Sequence, residues 1–593
     1  MKLKAFNKQL KKEFNENYNE KALVEIKEKK KKSIWIRLIP AYAILGILLI
    51  FGIVLGIDQL AVNNYNNRYY HFSDAYQNTC YAELNKISEK EFKELRTFKP
   101  RQSILDKIKG INFNIFSTWA SAPVKGGTDS VPVNEEVSVP EKSIIPTTDT
   151  SYDTNNQERN VIEADIAKFD GKYCYYVYGA DLVIYDLDGN KLVDEYLDFA
   201  LGTRRLVDNV KLQIYKDLII AYDSWVLYLL RFNEDNHTLK EEAVIYHSIE
   251  TRIFENQLFV ISQHSSDEEL GINNLYYDGL SGSQTIYCLT KYDLDTLEKN
   301  EAEVLGDYST VCYMSDEYIS LSNYQFYQSL MSYKTLTSVF TLNLEPVGVF
   351  VAEGNVLNQY SVDIYKNELR IVSTSRRESI TNILTIFDLK ELKILSILDQ
   401  GIGLYRESVK SVSFTDTTCY VVTFLQTDPL YEIDLTDPTN PIIKDAIHVD
   451  GFSSYLKTFS IAGVEYVFGA GLNGGYKYSI YKNDAENTQI GKDYYVRGKD
   501  VVENIDGVDY VYNNSASSSC INPHAMFFYV KDDILYFGAP VNRQEYTLYK
   551  IDVNAEEVIS VYKSFDTTRE TRLFLFEGNV YLPQEDKLIK EAF

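Results

Sequence analysis

The sequence is poor in the residues on which most catalytic and metal centres depend. Its 593 residues include only three Trp, four Met, six Cys and six His. The histidines form no HExxH or HxH pattern, and no GxSxG or P-loop motif occurs. No two cysteines form a CxxC pair, which excludes a zinc knuckle or redox dithiol of that kind. The cysteines stand at positions 80, 174, 288, 312, 419 and 520.

For three of the six cysteines, the sequence context favours a free buried thiol. Cys174, Cys288 and Cys419 fall inside apolar strand-like runs, where a thiol behaves as a small buried hydrophobe. An even count leaves up to three disulfides open outside the membrane. The sequence therefore leaves the disulfide state undecided.

Positive charge is scarce except at the start of the chain. The net charge is -25, yet residues 1–33 carry eleven Lys against five Glu. Up to Arg37 the balance is +7, which leaves -32 for the remainder. A body so acidic repels phosphate backbones, so we expect no nucleic-acid partner.

Residues 38–57 are a run of twenty residues without charge, LIPAYAILGILLIFGIVLGI. A helix of that length spans about 30 Å, the thickness of the hydrocarbon core of a membrane. The sequence predicts a transmembrane helix over 34–57. The lysines at 29–32 place the tail 1–33 in the cytoplasm and the remainder outside, as a single-pass protein of the cell membrane. A cleaved signal peptide is the alternative, but the apolar run is too long and lacks an A-x-A site.

Two segments without strand pattern follow the apolar run. Residues 58–118 predict a partly helical stalk, with helical spacing from Tyr65 to about Leu95. Residues 119–160 combine Pro, Gly, Ser and Thr with few large apolar residues, which predicts an extended or disordered linker.

From residue 161 to 593 the chain repeats a strand-rich unit. The stretch 412–456 illustrates it: short apolar runs are interrupted at Asp428-Pro429, Asp437-Pro438 and Asn440-Pro441. Turn signals recur at a mean spacing of 51 residues, close to the period of propeller blades. The sequence predicts an all-β fold, a β-propeller of about eight, alternatively seven, four-stranded blades. The last strands would complete the first blade; an array of β-sandwiches is the competing fold. The turns fall near 170, 217, 256, 317, 367, 416, 463, 532 and 578.

Four blocks carry a resemblance to a known family. They are similar to bacterial and archaeal secreted or membrane-anchored proteins with a C-terminal β-propeller domain, distantly like WD repeats. The resemblance implies a propeller at the cell surface; the family has no established activity to carry over. The blocks are 154–177, 355–374, 421–456 and 521–541.

One position in these blocks and one directly after the third block concern histidine. His524 matches a histidine of the family pattern. Lys457 stands where the family often has a histidine after the Tyr455-Leu456 pair, so a role for that position does not carry over.

Several residues are candidate ligands, but each has a simpler interpretation. The prolines and acids near 428–441 would line the opening of a ligand-binding site. The interpretation that we favour is that they form and cap turns between strands. Glu163, Asp165 and Asp170 would bind a cation such as Ca²⁺, although their spacing matches no known calcium loop. Exposed aromatics would stack sugars, although packing between blades is favoured; they are Tyr324, Phe326, Tyr327, Tyr494 and Tyr495.

Two function classes remain. The first is a non-catalytic binding or scaffold module, with an unknown protein, peptide or cell-wall glycan as ligand. The second is an enzyme, either a hydrolase or a quinoprotein-like oxidoreductase, with its site in the central channel. The chain lacks sialidase Ser-x-Asp-x-Gly-x-Thr-Trp turns and repeated tryptophan motifs. The sequence therefore predicts no catalytic, cofactor or metal residue and favours the first class.

Overall fold

The computed structural model describes an all-β part of the chain. All described residues belong to one of two compact units, the one that comprises residues 74–97 and 129–593. In this part of the chain, no helix combines the length and apolar character needed to cross a membrane. The predicted tail 1–33, the transmembrane helix 34–57 and most of the stalk and linker lie outside the described residues. The described residues are 80–88, 90–92, 150–151, 155–158, 161–199, 210–265, 274–278, 285–306, 310–327, 332–376, 379–424, 428–449, 452–482, 489–498, 500–505, 508–513 and 515–593.

The strand Tyr173–Tyr178 shows why the apolar runs of the sequence form strands. Tyr173–Tyr178 is buried along nearly its whole length, since both faces of the sheet are covered. Such strands are apolar on both faces instead of alternating. The preceding turn is fixed by Asp170, whose Oδ1 accepts the amides of Lys172 at 2.8 Å and Tyr173 at 2.7 Å. Gly171 adopts φ +89 there, which favours glycine.

Within the described residues, nine antiparallel series of strands follow one another, and we number them sheets 1 to 9. Sheets 1 to 8 each contain a series of four strands, whereas the end of the chain supplies three strands to sheet 9. Sheets 1 to 3 span residues 161–306 together with one early strand. Sheet 1 is Ala167–Phe169, Tyr173–Tyr178, Asp181–Asp186 and Lys191–Tyr196. Sheet 2 is Lys211–Tyr215, Leu218–Tyr222, Val226–Asn233 and Thr238–Tyr246. Sheet 3 is Ser248–Phe254, Gln257–Ser265, Thr285–Asp293 and Lys299–Gly306, extended by Val161–Glu163, Leu275–Tyr277 and Asn85–Lys86.

Sheets 4 to 6 continue the same order. Sheet 5 is preceded by a 3₁₀ helix, Gln359–Ser361. Sheet 4 is Thr310–Met314, Tyr318–Tyr327, Ser332–Thr341 and Pro346–Glu353, extended by Tyr81–Ala82. In sheet 5, Val362–Tyr365 and Asn355–Val356 both pair with Glu368–Ser375, and the next strands are Thr381–Asp388 and Lys393–Leu398. Sheet 6 is Ser408–Phe414, Thr418–Phe424, Asp428–Asp434 and Ile442–Val449.

Sheets 7 to 9 complete the described series. Between sheets 7 and 8 lie a hairpin, Asp500–Ile505 with Val508–Asn513, and two 3₁₀ helices, Ser518–Ile521 and Pro523–Ala525. Sheet 7 is Phe452–Ile461, Val464–Leu472, Tyr476–Lys482 and Tyr494–Tyr495. Sheet 8 is Phe527–Lys531, Ile534–Asn542, Glu545–Ile551 and Ile559–Asp566. Sheet 9 is Phe574–Phe576, Asn579–Pro583 and Leu588–Ala592, preceded by Thr150–Ser151.

Apolar clusters join every sheet to the next and the last to the first. Sheets 1 and 9 share one such cluster, in which Phe169 lies 5.7 Å from Phe574 and 5.8 Å from Tyr581, ring centroid to ring centroid. The packing order of the sheets is therefore cyclic. The C-terminal strands do not complete the first sheet, as the sequence suggested; they pair with Thr150–Ser151. Sheet 1 already has four strands from residues 167–196.

The described part of the predicted stalk is not the helix expected from Tyr65 to Leu95. It forms two short edge strands on sheets 4 and 3 and a helical turn at residues 90–92. We call residues 80–88 and 90–92 the edge segment. Tyr81 lies over Gly348, where an added Cβ would stand only 2.3 Å from the Tyr81 ring. Burial of Leu84 and Phe92 against the sheets outweighs the local helical preference.

Candidate functional site

The polar stretch before sheet 1 lies at the centre of the cycle of sheets. We call residues 155–158 and 161–166 the central segment. It bonds with the first strands, or the chain just before them, of sheets 2, 3, 4, 5, 7, 8 and 9. A segment that meets seven of nine first strands is surrounded by them. The sequence had placed residues 155–158 in the linker, before the propeller.

Backbone pairing fixes the direction of the central segment. Val161–Glu163 pairs antiparallel with Arg252–Phe254 of sheet 3. Asp165 then exchanges two backbone hydrogen bonds with Leu212 of sheet 2, at 3.1 and 2.7 Å between nitrogen and oxygen. These bonds place the side chains of Glu163 and Asp165 among the first strands.

Asp165 forms a buried bidentate ion pair with Arg572, just before sheet 9. Arg572 Nε donates to Oδ2 and Nη2 donates to Oδ1, each at 2.7 Å, and both side chains are 4% exposed. Burial alone would raise the pKa of Asp165, but the adjacent guanidinium keeps that pKa below its usual value. The pair joins the start of the sheet series to its end.

Glu163 is held by a second arginine, Arg252. Arg252 Nε lies 3.5 Å from Glu163 Oε1, and Arg252 Nη2 donates to Gln359 Oε1 at 2.9 Å. Gln359 Nε2 in turn donates to Glu163 Oε1 at 3.3 Å. His524 Nε2 lies 3.6 Å from Glu163 Oε2, and burial lowers the pKa of His524. The family-matched histidine is thus part of this cluster.

Both arginines occur in the same short motif. Glu250-Thr251-Arg252 and Glu570-Thr571-Arg572 each precede an aliphatic residue and Phe. In each copy, Nη1 of the arginine donates to Oε1 of the glutamate, at 2.6 and 3.0 Å, and to the threonine carbonyl, at 2.8 and 3.0 Å. Two copies of one motif therefore hold the two acids of Glu163-Ala164-Asp165.

The other end of the central segment contacts sheets 7 and 8. Asn155 Nδ2 donates to the Tyr455 hydroxyl at 2.6 Å, and Lys457 Nζ donates to Asn155 Oδ1 at 3.0 Å. Lys457 is buried and lies 5.1 Å from the centroid of the Phe528 ring; burial holds the pKa of Lys457 well below its usual value. The lysine that departs from the family pattern thus binds the central segment.

This arrangement is suited to holding a segment in register. The acids at 163 and 165 already accept hydrogen bonds or ion pairs from protein groups. Within the described residues, no three or more His, Cys, Asp or Glu side chains gather as a metal site would require. Buried ion pairs add little net stability, yet breaking one is costly, so they specify position.

The candidate calcium ligands separate in the structure. Glu163 and Asp165 lie at the centre, bound to arginines, whereas Asp170 caps the turn before Tyr173 and accepts the Tyr175 hydroxyl at 2.8 Å. Asp437 also caps a turn: its Oδ1 accepts the amide of Thr439 at 3.0 Å and the Thr439 hydroxyl at 2.6 Å. The side chains of Asp428 and Pro429 lie outside the described residues.

The candidate aromatic residues divide between surface and packing. Tyr324 and Tyr333 are edge-to-face at 5.8 Å and 38% and 40% exposed. Tyr494 packs 5.4 Å from Tyr549, ring centroid to ring centroid, between sheets 7 and 8. Tyr495 is partly exposed and accepts a hydrogen bond from Asn473 at 3.0 Å. The side chains of Phe326 and Tyr327 lie outside the described residues.

Sequence reasoning missed Arg252, Arg572, Gln359 and Glu250. The one local signal was the repeated Glu-Thr-Arg motif, which lies inside the strand Ser248–Phe254 at 250–252 and just before the strand Phe574–Phe576 at 570–572. Gln359 gave no signal, because its role arises only when a 3₁₀ helix turns it toward Glu163.

Two curated relatives match a short stretch of the chain. A 37%-identical stretch of 123 residues matches an uncharacterised protein of Archaeoglobus fulgidus, covering 21% of this chain and 19% of that protein. An uncharacterised protein of Methanocaldococcus jannaschii matches at 32% over 127 residues, 20% of each chain. The chain therefore spans about a fifth of the length of these curated relatives.

Solved structures give distant matches. AztD of Citrobacter koseri is 12% identical, with 73% of this chain and 98% of that chain covered and a TM-score of 0.34. Hsv2p of Kluyveromyces lactis is 12% identical, with 59% and 95% covered and a TM-score of 0.32. The β-propeller domain of the Trilobed protease of Pyrococcus furiosus is 10% identical, with 57% and 89% covered and a TM-score of 0.28.

One family profile covers most of the chain. The profile described as "Beta propeller domain" matches residues 151–274 and 231–574. Together these ranges begin just before the central segment and include the main strands of sheets 1 to 8. The chain therefore belongs to the β-propeller domain family.

Proposed function

We propose that the chain is a membrane-anchored, extracytoplasmic β-propeller that acts as a non-catalytic binding or scaffold module at the cell surface. The observation that carries this proposal is the occupied centre: the central segment lies where a channel enzyme would bind its substrate. Binding must then use the outer surfaces and turns. Propellers host many functions, so the site and not the fold supports the choice.

The number of blades belongs to the same proposal. Nine sheets in cyclic packing order support nine blades, where turn spacing had suggested about eight or seven. Sheet 9 takes Thr150–Ser151 from the chain before the central segment. The chain upstream of sheet 1 would thus serve both to complete the last blade and to occupy the centre.

The location at the membrane rests on the sequence. Residues 38–57 are apolar, and the lysines at 29–32 precede them. Protease treatment of intact cells tests this. Release of the part from 161 to 593 supports an outward propeller; its full protection would place the propeller in the cytoplasm and overturn the proposed topology.

Ligand capture tests the binding role. The full chain in detergent is exposed to cell-wall fragments and to membrane and secreted proteins of its own source. We expect retention of one component, and Tyr324→Ala together with Tyr333→Ala should weaken this retention, because the two rings form an exposed pair. Tyr562→Ala, on the outer strand of sheet 8 and 44% exposed, is the matched control. Retention of nothing would count against a binding module.

The enzyme alternative needs a free acid, base or nucleophile at the centre. Asp165 and Glu163 are bound to arginines, and burial raises the pKa of Cys174 and holds that of Cys312 at about 12. Thiols of this kind are poor nucleophiles. No contact in the described part of the chain favours the enzyme over the binding module.

A further inference from the structure

A buried lysine amine meets an asparagine side chain at the centre of the cycle of sheets. Lys457, on the first strand of sheet 7, is 2% exposed, and its Nζ donates to Asn155 Oδ1 at 3.0 Å. Asn155 belongs to the central segment, 302 positions earlier in the chain. The fold therefore brings a primary amine to an amide carbonyl, the two groups from which an isopeptide bond forms.

The surroundings of Lys457 favour the neutral form of its amine. Its Nζ lies 5.1 Å from the centroid of the Phe528 ring, and burial holds the pKa of Lys457 well below its usual value. A desolvated lysine amine is an activated nucleophile, since the ammonium form has no lone pair with which to attack. Hydrogen bonds that the amine donates leave this lone pair in place.

Two further contacts orient the Asn155 amide. Its Nδ2 donates to the Tyr455 hydroxyl at 2.6 Å and to the Pro523 carbonyl at 3.2 Å. The carbonyl oxygen therefore faces Lys457, and the amide nitrogen faces a hydroxyl. Tyr455 is fully buried, and burial raises its pKa well above the usual value, so the hydroxyl keeps its proton. A proton donor thus stands beside the nitrogen that would leave.

We propose that Lys457 and Asn155 form an intramolecular isopeptide bond. Lys457 Nζ attacks Asn155 Cγ, so that a new C–N bond forms and the bond from Cγ to Nδ2 breaks. The leaving nitrogen takes a proton from the Tyr455 hydroxyl, which recovers one from the attacking nitrogen. Ammonia departs as the only other product, so the step needs no oxidant or co-reactant. Groups positioned by a fold react with effective molarities of up to about 10⁵–10⁸ M.

The bond would tie the central segment covalently to sheet 7. It would join two positions 302 residues apart, and a cross-link over so long a loop restricts the unfolded chain. The segment would then stay at the centre even when the ion pairs of Glu163 and Asp165 open. This inference does not rest on the proposed binding role, which concerns the outer surfaces and turns.

Mass spectrometry of the full chain, purified in detergent, tests the bond directly. We expect an intact mass about 17 Da below that of the unlinked chain, because one ammonia is lost. Trypsin should leave the chain uncleaved after Lys457 and should give one branched peptide that contains both Asn155 and Lys457. The full mass of the unlinked chain, together with ordinary tryptic cleavage after Lys457, would overturn the proposal.

Variants locate the bond and test the proton relay. Lys457→Arg and Asn155→Ala should each abolish the loss of ammonia, because a guanidinium stays charged and alanine offers no side-chain carbonyl. Lys477→Arg is the matched control: Lys477 is 1% exposed in the same sheet, donates to Asp493 Oδ2 at 2.9 Å, and should be dispensable for the bond. Tyr455→Phe keeps the ring and should slow bond formation about hundredfold, followed as the linked fraction at successive times after cell-free synthesis.

Thermal unfolding of each variant confirms that it is folded. Loss of ammonia that persists in Lys457→Arg or in Asn155→Ala would refute the assigned pair. Bond formation at an unchanged rate in Tyr455→Phe would refute the hydroxyl as the proton relay.

Discussion

Two segments outside the sheet series dock on it in opposite ways. The central segment is held by buried charge, with Asp165 on Arg572 and Glu163 on Arg252. The edge segment is held by backbone pairing and apolar anchors, Tyr81, Leu84 and Phe92. Charged contacts fix one position and register, whereas apolar burial is tolerant of small shifts. Directional ion pairs therefore set the position and register of the central segment, whereas the edge segment is held mainly by the apolar surface area that it buries.

Breaking the central ion pair should have the largest effect. Arg572→Met leaves Asp165 buried without its partner, so we expect a loss of about 3–5 kcal/mol in the free energy of unfolding. The measurement is thermal unfolding of the full chain in detergent. The double variant Asp165→Leu with Arg572→Met should recover much of the loss, since the fully buried charge of Asp165 is then also removed and Glu570, the other partner of Arg572, is 31% exposed. Equal destabilisation of the single and double variants would contradict this account.

Low pH should lower the stability of the folded protein through protonation of Glu250, the partner of Arg252. Burial by itself would raise the pKa of Glu250, but the charges of Arg252 and Lys211, together with hydrogen bonds from Arg252 and the Thr251 amide, lower that pKa to about 2. Because the folded pKa lies below the ordinary value, the contribution of Glu250 is present above about pH 4.5 and is lost as pH falls toward about 2. Glu250→Gln should flatten the pH dependence of the unfolding temperature in that window. Identical slopes in both proteins would refute the assignment. The effect should be smaller than for Arg572→Met, since Glu250 is 28% exposed.

Removing an apolar contact of the edge segment should destabilise mainly that segment. Phe92 packs among Leu275, Ile286 and Leu305. Phe92→Ala should cost only about 1–2 kcal/mol overall, because undocking of the edge segment limits the loss. Hydrogen exchange of residues 80–92 should rise sharply, while that of the central segment stays slow. Tyr405→Ala, 75% exposed, is the control. Faster exchange at the centre would show that edge and centre are one cooperative unit.

The smallest effect concerns His524. Burial lowers its pKa in the folded protein, so the unfolded chain takes up the proton first as pH falls below about 6.5. Stability should decline from that pH down to the folded pKa. His524→Asn should remove this part of the slope, and His237→Asn, at an exposed turn, should not. An unchanged slope in His524→Asn would exclude the histidine as its source.

The strands were largely predictable, but the segments that dock on them were not. Runs such as YCYYVY at 173–178 and TCYVVTF at 418–424 are strands as expected. Strands of two residues, such as Tyr81–Ala82 and Thr150–Ser151, are too short to leave a period in the sequence. Asn155, Gln157 and Glu158 were assigned to a linker because polar residues without period predict loops. Their partners, Tyr455, Val362 and Tyr313, are 155 to 300 positions away.

The sequence by itself determined an all-β chain of repeated strand units, because alternation, apolar runs and Asp-Gly or Asp-Pro turns are local properties. Its family blocks also determined the propeller class. Only the tertiary structure decided that the polar stretch before sheet 1 occupies the centre, and that two Glu-Thr-Arg copies 320 positions apart hold its acids. A charged residue reveals its partner only when folding brings distant strands together, since a buried charge requires a counter-charge that no local pattern records.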